Sequence, residues 1–513
     1  MAETPDVVQT VQQGYAFEGP AIELGALLVD GTPNTEAAVR IPLSMVNRHG
    51  LVAGATGTGK TKTLQLMAEQ LSAAGVAVFA ADIKGDLSGV SQPGESSEKL
   101  LARTRTIGQE WTATGFPTEF YALGGQGAGV PIRATITSFG PVLLSKVLGL
   151  NDVQESSLGL IFHYADKQGL TLLDLKDLRA VITHLTSDEG KGDLKELGGL
   201  SAATAGVILR SLIGFADQGA EAFFGEPEFD TADLLQQRDG KGVISLLELP
   251  NLQDRPALFS TFLMWLLADL FHDLPEVGDV DKPKLVFFFD EAHLLFNDAS
   301  KAFLDSIAQT VRLIRSKGVG VFFVTQTPKD VPDDVLAQLG SRVQHQLRAH
   351  TPNDAKALKA TVSTFPNSSY DLGEVLTQLG IGEAVVTVMN EKGAPTPVAW
   401  TRLRAPQSLM APASAEQLTA TVAASPNNAK YTEVVDRESA YEKLAAKVQA
   451  GAEQAEAEAQ AEQPQAEAPK PRAQKQEKSV VQQVIGSSAF KQFARSAGRE
   501  IVRGLFGAAR RKR

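Results

Sequence analysis

Gly54-Ala55-Thr56-Gly57-Thr58-Gly59-Lys60-Thr61 fulfils the pattern G-x-x-x-x-G-K-[ST] and stands between an apolar run, Leu51-Val52-Ala53, and a stretch of helical spacing. Thr63, Leu64, Leu66, Met67 and Leu71 recur at that spacing, so a strand, a glycine-rich loop and a helix follow one another. In this setting the glycines let backbone N–H groups turn inward around a polyphosphate. Lys60 reaches the β and γ phosphates, and Thr61 offers its hydroxyl to Mg2+. The sequence therefore predicts binding of ATP or a similar triphosphate, with Gly54, Ala55, Thr56, Gly57, Thr58, Gly59, Lys60, Thr61 and Lys62 as the contact set. A chain with 45 glycines could match the pattern by chance; the flanking strand and helix weigh against that.

Further on, Lys284-Leu285-Val286-Phe287-Phe288-Phe289-Asp290-Glu291-Ala292-His293 reads as an apolar strand carrying two carboxylates at its C-terminal end. That is where an open α/β sheet binds its ligand. Asp290 is placed to hold Mg2+ together with Thr61, and Glu291 to orient and deprotonate the water that attacks the γ-phosphorus. A capping pair at a helix start is the plainer alternative. A second apolar run, residues 319–325, ends in Thr325-Gln326-Thr327-Pro328, where Gln326 either senses the γ-phosphate or merely forms a turn. Asp82 ends another apolar run, with roles in tuning the Mg2+ shell or capping a loop left open. His293 reads as a packing residue beside the site, because no further His or carboxylate pair lies at zinc-ligand spacing.

Buried strands are expected at residues 50–53, 76–81, 243–249, 285–289, 319–325 and 384–389, separated by helical patterns. Alternation of this kind makes an α/β core with a mainly parallel sheet. Helical periodicity near residues 141–150, 154–168, 173–185 and 201–215 makes the interval 91–239 a mainly helical insertion. Residues 406–428, rich in Ala, Ser, Thr and Pro, read as a linker. Asp436 then caps a short helix over 437–447. Repeated Ala, Glu, Gln and Pro over 451–478 signal a solvated, mobile tether.

The 513 residues, 43% of them hydrophobic, suffice for a large core. With no cysteine, disulfides, thiolate metal sites and thiol catalysis are excluded. The acidic N-terminus and the lack of a long apolar segment predict a cytoplasmic protein. The net charge of −11 hides an asymmetry: residues 479–513 carry eight basic residues against Glu500, so the tail is +7 and the rest −18. An acidic body argues against nucleic acid coating the outer surface but leaves room for a basic channel. The tail intersperses arginines with Phe490, Phe493, Ile501, Leu505 and Phe506. Such a mixture suits an anionic membrane surface, a nucleic-acid backbone or an acidic partner protein; a merely solubilising tail is the alternative.

The loop at 54–61, Phe288-Phe289-Asp290-Glu291-Ala292-His293 and Val324-Thr325-Gln326-Thr327-Pro328 stand in an order and approximate spacing that resemble the FtsK/HerA branch of RecA-like motor ATPases, over roughly residues 48–404. With residues 431–444 and the basic C-terminus, the chain resembles the bacterial YjgR group of HerA-like helicases. The resemblance implies a RecA-like P-loop core over 47–90 and 240–404, after a short N-terminal segment, 1–46. Residues 91–239 form the insertion, 405–450 the linker and short helix, 451–478 the tether and 479–513 the amphipathic tail. It implies a homohexameric ring with ATP between subunits and an arginine reaching the γ-phosphate from a neighbour. Arg48 and Arg315 match the family's arginines best by position, with Arg342 third and Arg437 weaker; each could instead be an ordinary surface residue.

About 45 residues precede the strand of the phosphate loop, too few for the β-barrel with which HerA engages its nuclease, so a DNA end-processing role does not carry over. The winged-helix extension and membrane spans of FtsK, the Ser-Ala-Thr motif of superfamily-2 helicases and the Leu-Ser-Gly-Gly-Gln signature of ABC transporters are missing. The expected function is a Mg2+-dependent ATPase that moves DNA or another polymer through a ring. A nucleotide-dependent scaffold docked through the tail to a partner or the membrane periphery is the second reading.

Overall fold

The computed structural model describes residues 7–196, 200–297 and 301–461. In chain order its strands are β1 (Ala21–Val29), β2 (Thr32–Pro42), β3 (Gly50–Ala53), β4 (Ala77–Asp82), β5 (Thr118–Leu123), β6 (Val130–Ile132), β7 (Gln237–Arg238), β8 (Lys241–Gly242), β9 (Ile244–Glu248), β10 (Leu285–Phe289), β11 (Val319–Thr325), β12 (Ser341–Gln344), β13 (Glu383–Thr387) and β14 (Ala399–Leu403). β7 and β8 pair only with each other; the other twelve form one sheet, ordered β2-β1-β14-β13-β12-β3-β11-β10-β4-β9-β5-β6. From β12 to β6 every neighbouring pair is parallel, and from β12 to β2 every pair is antiparallel.

Strands β3, β4, β9, β10 and β11 are buried at every position, because cores lie on both faces of the sheet. Val286 and Phe288 face one core with Val52, Val78, Phe322 and helix Lys60–Ala73. Phe287 and Phe289 face the other with Phe79, Phe323, Trp265 and the inserted helices. On that second face the ring centroids of Phe79 and Phe287 lie 4.4 Å apart and those of Phe289 and Phe323 5.4 Å. Burial of each such ring contributes about 1.5–3 kcal/mol and fixes the register of the strands that carry the site.

The helical insertion is built from helices Ile136–Val147, Asp152–Lys167, Leu175–Thr186, Lys191–Glu196 and Ala202–Asp217. Asn151 and Asp174 start two of them with reciprocal capping boxes. The same interval also supplies β5 and β6 to the main sheet. β5 escapes a search for apolar runs because buried Glu119 interrupts it, its charge met by Arg238.

Residues 406–428 are fastened rather than free. Gln407 and Ser408 donate backbone N–H groups to the Glu69 carboxylate at 2.8 and 3.0 Å, and Gln65 donates to the Ser408 hydroxyl at 2.6 Å. Helices Ala415–Ala424 and Pro426–Tyr431 follow, and buried Tyr431 donates its hydroxyl to Asp233 at 2.6 Å. The last helix is Ala440–Ala461, not 437–447. Its start is set by Ser439, whose hydroxyl lies 2.5 Å from both Asp177 and Glu442, and Asp436 stands before it. The chain separates into one unit ending at Val448 and another from Gln449. In the second unit the helix continues to Ala461 where a tether was expected, since Ala, Glu and Gln are strong helix formers. The rest of that tether and the basic tail lie outside the described residues. Among the described residues no helix is long and apolar enough to cross a membrane.

Candidate active site

The phosphate loop leaves β3 at the C-terminal edge of the parallel strands and feeds helix Lys60–Ala73. Gly54 donates its N–H to Thr325 at 3.2 Å and Ala55 to Gln346 at 2.8 Å, so the loop hangs from β11 on one side and the end of β12 on the other. A Cβ on Gly54 would stand 2.5 Å from Cβ of His345, so only glycine fits there. The Thr58 hydroxyl closes the turn onto the Ala55 carbonyl at 2.8 Å. No side chain caps the helix, whose first turn, including Thr61, leaves N–H groups without intrahelical partners. Lys60 folds back over the loop, donating to the carbonyls of Gly54 at 2.6 Å and Ala55 at 3.2 Å. Burial lowers its pKa against the opposing pull of Glu291 and Asp290. Arg348 donates to the Thr56 carbonyl at 3.3 Å. The side chain of Lys62 turns elsewhere, donating to the Met410 carbonyl at 2.7 Å and to Gln65 at 3.1 Å.

Across β11 from the loop, β10 ends in Asp290 and Glu291. Asp290 is 7% exposed and accepts the Glu291 N–H at 2.9 Å. Burial, then the charge of Glu291, pushes its pKa up to about 7. Glu291 adopts φ +46°, a strained conformation for a residue with a side chain. It is held there by Ala292, whose N–H bonds the Val324 carbonyl at 2.9 Å, and by Lys84, whose ammonium lies 2.8 Å from its carboxylate. Burial works against the charge of Glu291, but Lys84, with His293 and Lys60, outweighs it and holds the carboxyl below its ordinary pKa. His293 Nδ1 sits 3.4 Å from the other carboxylate oxygen. Gln326 is exposed at the tip of β11 between these two halves; Asp330 locks its turn by accepting from the Thr325 hydroxyl at 2.6 Å and the Thr327 N–H at 3.0 Å.

Asp82 proves to be a cap: its carboxylate accepts the N–H groups of Gly85, Asp86 and Leu87 at 2.7, 3.1 and 2.8 Å. Beside it, in register on β9, Glu248 is buried and its Oε1 has no hydrogen-bond partner. Burial, then the charges of Asp82 and Asp86, pushes its pKa up to about 8. A carboxyl raised above its unfolded value stabilises the fold below the unfolded pKa, and that stability is lost as pH climbs toward 8. Glu248→Gln is therefore expected to raise stability at pH 8.5 by ~1–3 kcal/mol and to leave it nearly unchanged at pH 4.5. Thermal melts at the two pH values check this.

The four candidate arginines occupy other places. Arg48 precedes β3 and Arg315 precedes β11, so both lie at the opposite edge of the sheet from the phosphate loop, where they share Asp279 at 3.5 and 3.9 Å. Arg342, on β12, donates to the Thr364 carbonyl at 2.9 Å and lies over the Phe365 ring, a packing role. Arg437 pairs with Glu226 at 2.7 Å. Two site residues escaped the sequence reading. Lys84 is separated from Glu291 by 207 residues, and its one local signal is a lysine two residues past the acidic strand end Asp82. His345 lies fully buried beneath the loop, 2.9 Å from the Thr63 hydroxyl, and burial lowers its pKa to about 4, so the ring is neutral.

Comparison with known proteins agrees with this architecture. The family model Helicase HerA-like C-terminal matches residues 28–513. DNA double-strand break repair helicase HerA of Sulfurisphaera tokodaii is 23% identical over 393 residues, 75% of this chain and 70% of that protein. The HerA of Saccharolobus solfataricus is 23% identical over 383 residues, 72% of this chain and 67% of its own length. Among solved structures, the bacterial conjugative coupling protein TrwBdeltaN70 superposes with TM-score 0.51 at 16% identity, covering 79% of this chain and 94% of that one. VirB4 of Thermoanaerobacter pseudethanolicus does so with TM-score 0.50 at 14% identity, covering 76% and 97%. These two likenesses establish the α/β P-loop fold. By the extent of the family match and the loop and carboxylates it contains, the chain belongs to the Helicase HerA-like C-terminal family of P-loop ATPases.

Proposed function

We propose that the protein hydrolyses ATP with Mg2+ at sites between subunits of a ring, and couples hydrolysis to movement of DNA or another polymer. The observation that carries this is the pairing of an uncapped phosphate loop with Asp290 and a strained, charged Glu291 two strands over, across β11. The site fits the nucleotide: Gly54 leaves no room for a side chain, and no side chain caps the first-turn N–H groups, which are left for an anion. Thr61 and Asp290 would hold Mg2+, which supplies charge neutralisation at the phosphates.

Lys60 is poised to exchange the Gly54 and Ala55 carbonyls for phosphate oxygens, which are stronger acceptors. Glu291, ionised at neutral pH, accepts the proton of the attacking water, and Gln326 orients that water from the tip of β11. Lys84 keeps Glu291 ionised and fixes its orientation. Lys84→Ala is expected to raise the pKa of Glu291 and move the acidic limb of the kcat/KM–pH profile toward higher pH; an unmoved limb would leave Lys84 without that role.

The polymer is read from relatives named as a DNA repair helicase and a conjugative coupling protein, the latter also solved with a non-hydrolysable ATP analogue. A cytoplasmic location follows the same reading. The test is steady-state ATPase of a size-defined oligomer with single-stranded DNA, duplex DNA, RNA or no polymer. Stimulation by a nucleic acid, weakening with salt, is expected. No stimulation by any polymer would sink the coupling, and flotation with anionic liposomes that depends on residues 479–513 would favour the scaffold role. No basal turnover in wild type would sink the hydrolase reading.

A further inference from the structure

Ile381 is 79% exposed, more than any other large apolar side chain among the described residues. A lone exposed apolar residue is ordinary on a surface; the setting of this one is not. It sits in the turn Gly380-Ile381-Gly382 that precedes β13. Because β13 runs antiparallel to β12, this turn lies at the same sheet edge as the phosphate loop.

Direct contact joins the two. Gly382 donates its N–H to the Thr58 carbonyl at 3.3 Å, and a Cβ on Gly59 would stand 3.6 Å from that same nitrogen. The turn is held from every side. Glu383 accepts the Gly380 N–H at 3.0 Å and is itself bound by Trp400 at 3.1 Å and Arg402 at 2.9 Å. The Gly382 carbonyl accepts from Arg103 at 3.0 Å and from the Leu403 N–H at 2.9 Å. Gly382 has φ +75°, and a Cβ there would meet the Arg103 guanidinium at 2.5 Å. These bonds fix a β-branched apolar side chain in water beside a loop made for phosphate.

Sheet order supplies the occupant. β10, with Asp290 and Glu291, lies on one flank of β3, and β12 and β13 lie on the other. A triphosphate threaded through the loop with its γ end at the carboxylates sends its base toward the β12–β13 flank. We propose that Ile381 is the platform on which the nucleotide's base packs, with the turn 380–382 as a base-binding element bolted to the phosphate loop. The proposal rests on the nucleotide-binding reading above. It assigns part of the binding energy to a side chain that touches no phosphate, so base and phosphate recognition separate experimentally.

The experiment measures ATP turnover and competition by inorganic tripolyphosphate in the full chain, comparing wild type, Ile381→Ser and Ile381→Leu at one oligomer concentration. Ile381→Ser is expected to raise KM for ATP about tenfold, keep kcat within about twofold and leave tripolyphosphate inhibition unchanged. Ile381→Leu is expected to stay within about twofold of wild type. An unchanged KM in Ile381→Ser would overturn the assignment. So would a parallel loss of tripolyphosphate binding, or a KM change that vanishes at higher protein concentration and so marks a subunit contact. A wild-type chain that binds neither ATP nor tripolyphosphate would remove the nucleotide reading itself and the platform with it.

Discussion

Glu291→Gln is expected to bind ATP with near wild-type affinity and to lose about 10²–10⁴-fold in kcat, the range of a positioned general base. The substitution keeps shape while removing the proton acceptor and the charge that Lys84 pairs with. Glu291 is suited to the role by its surroundings. It is partly buried yet ionised, because Lys84 at 2.8 Å and the nearby Lys60 and His293 compensate the cost of burial. Its φ of +46° fixes the carboxylate direction through the backbone. Asp290, buried at the strand end and pushed up to about 7, is the contrasting group: a carboxyl whose charge is costly until a cation shares it. Equilibrium binding of a fluorescent ATP analogue beside single-turnover hydrolysis separates the two properties. Wild-type turnover in Glu291→Gln would remove Glu291 as the base, and lost binding would make it structural.

The second large effect is expected from the arginines that share Asp279. Loss of an arginine that stabilises transition-state charge costs about 10³–10⁵-fold in kcat. Arg48 and Arg315 lie at the N-terminal ends of β3 and β11, the far edge from the loop and carboxylates of their own subunit. The four residues of β3 alone span roughly 13 Å, so neither side chain can serve the site at the other end of its own strand. If either one meets a γ-phosphate, that phosphate belongs to a neighbouring subunit's site, and the arginine would exchange Asp279 for it; an ordinary surface ion pair is the alternative that the substitutions test. Arg342 differs: bound to Thr364 and packed on Phe365, it is expected to affect stability more than kcat when replaced. Arg315→Ala and Arg48→Ala are therefore expected to preserve ATP binding and folding while at least one of them abolishes turnover. Full activity in both would remove Arg48 and Arg315 from the hydrolytic site.

What could be read from the sequence depended on how each segment is buried. Strands covered on both faces appear as unbroken apolar runs, so β3, β10 and β11 were located residue by residue. On the antiparallel flank β13 falls within the apolar run at 384–389, whereas β14 alternates buried Ala399, Thr401 and Leu403 with Trp400 and Arg402, and β12 carries Arg342, so no apolar run marks those two. The segment after residue 405 looked like a linker because its anchors, Gln65 and Glu69, sit unannounced inside the phosphate-loop helix. In the site, the phosphate loop, Asp290, Glu291 and Gln326 are each carried by a short stretch and were recognisable. Lys84 and His345 reach the site through contacts between segments far apart in the chain, as does the turn carrying Ile381 through Gly382 and Thr58, and local pattern does not record such contacts.

Mixing Arg315→Ala with Glu291→Gln subunits, and separately Arg48→Ala with Glu291→Gln, tests the shared site most directly. If each site takes Glu291 from one subunit and an arginine from the next, random mixing restores about a quarter of the sites at equal proportions. ATPase activity plotted against composition should then rise from near zero at both ends to a maximum at the midpoint for the arginine that acts. A flat line near zero in both series, at every ratio and with mixed rings demonstrated, would contradict a site completed by either arginine of a neighbouring subunit.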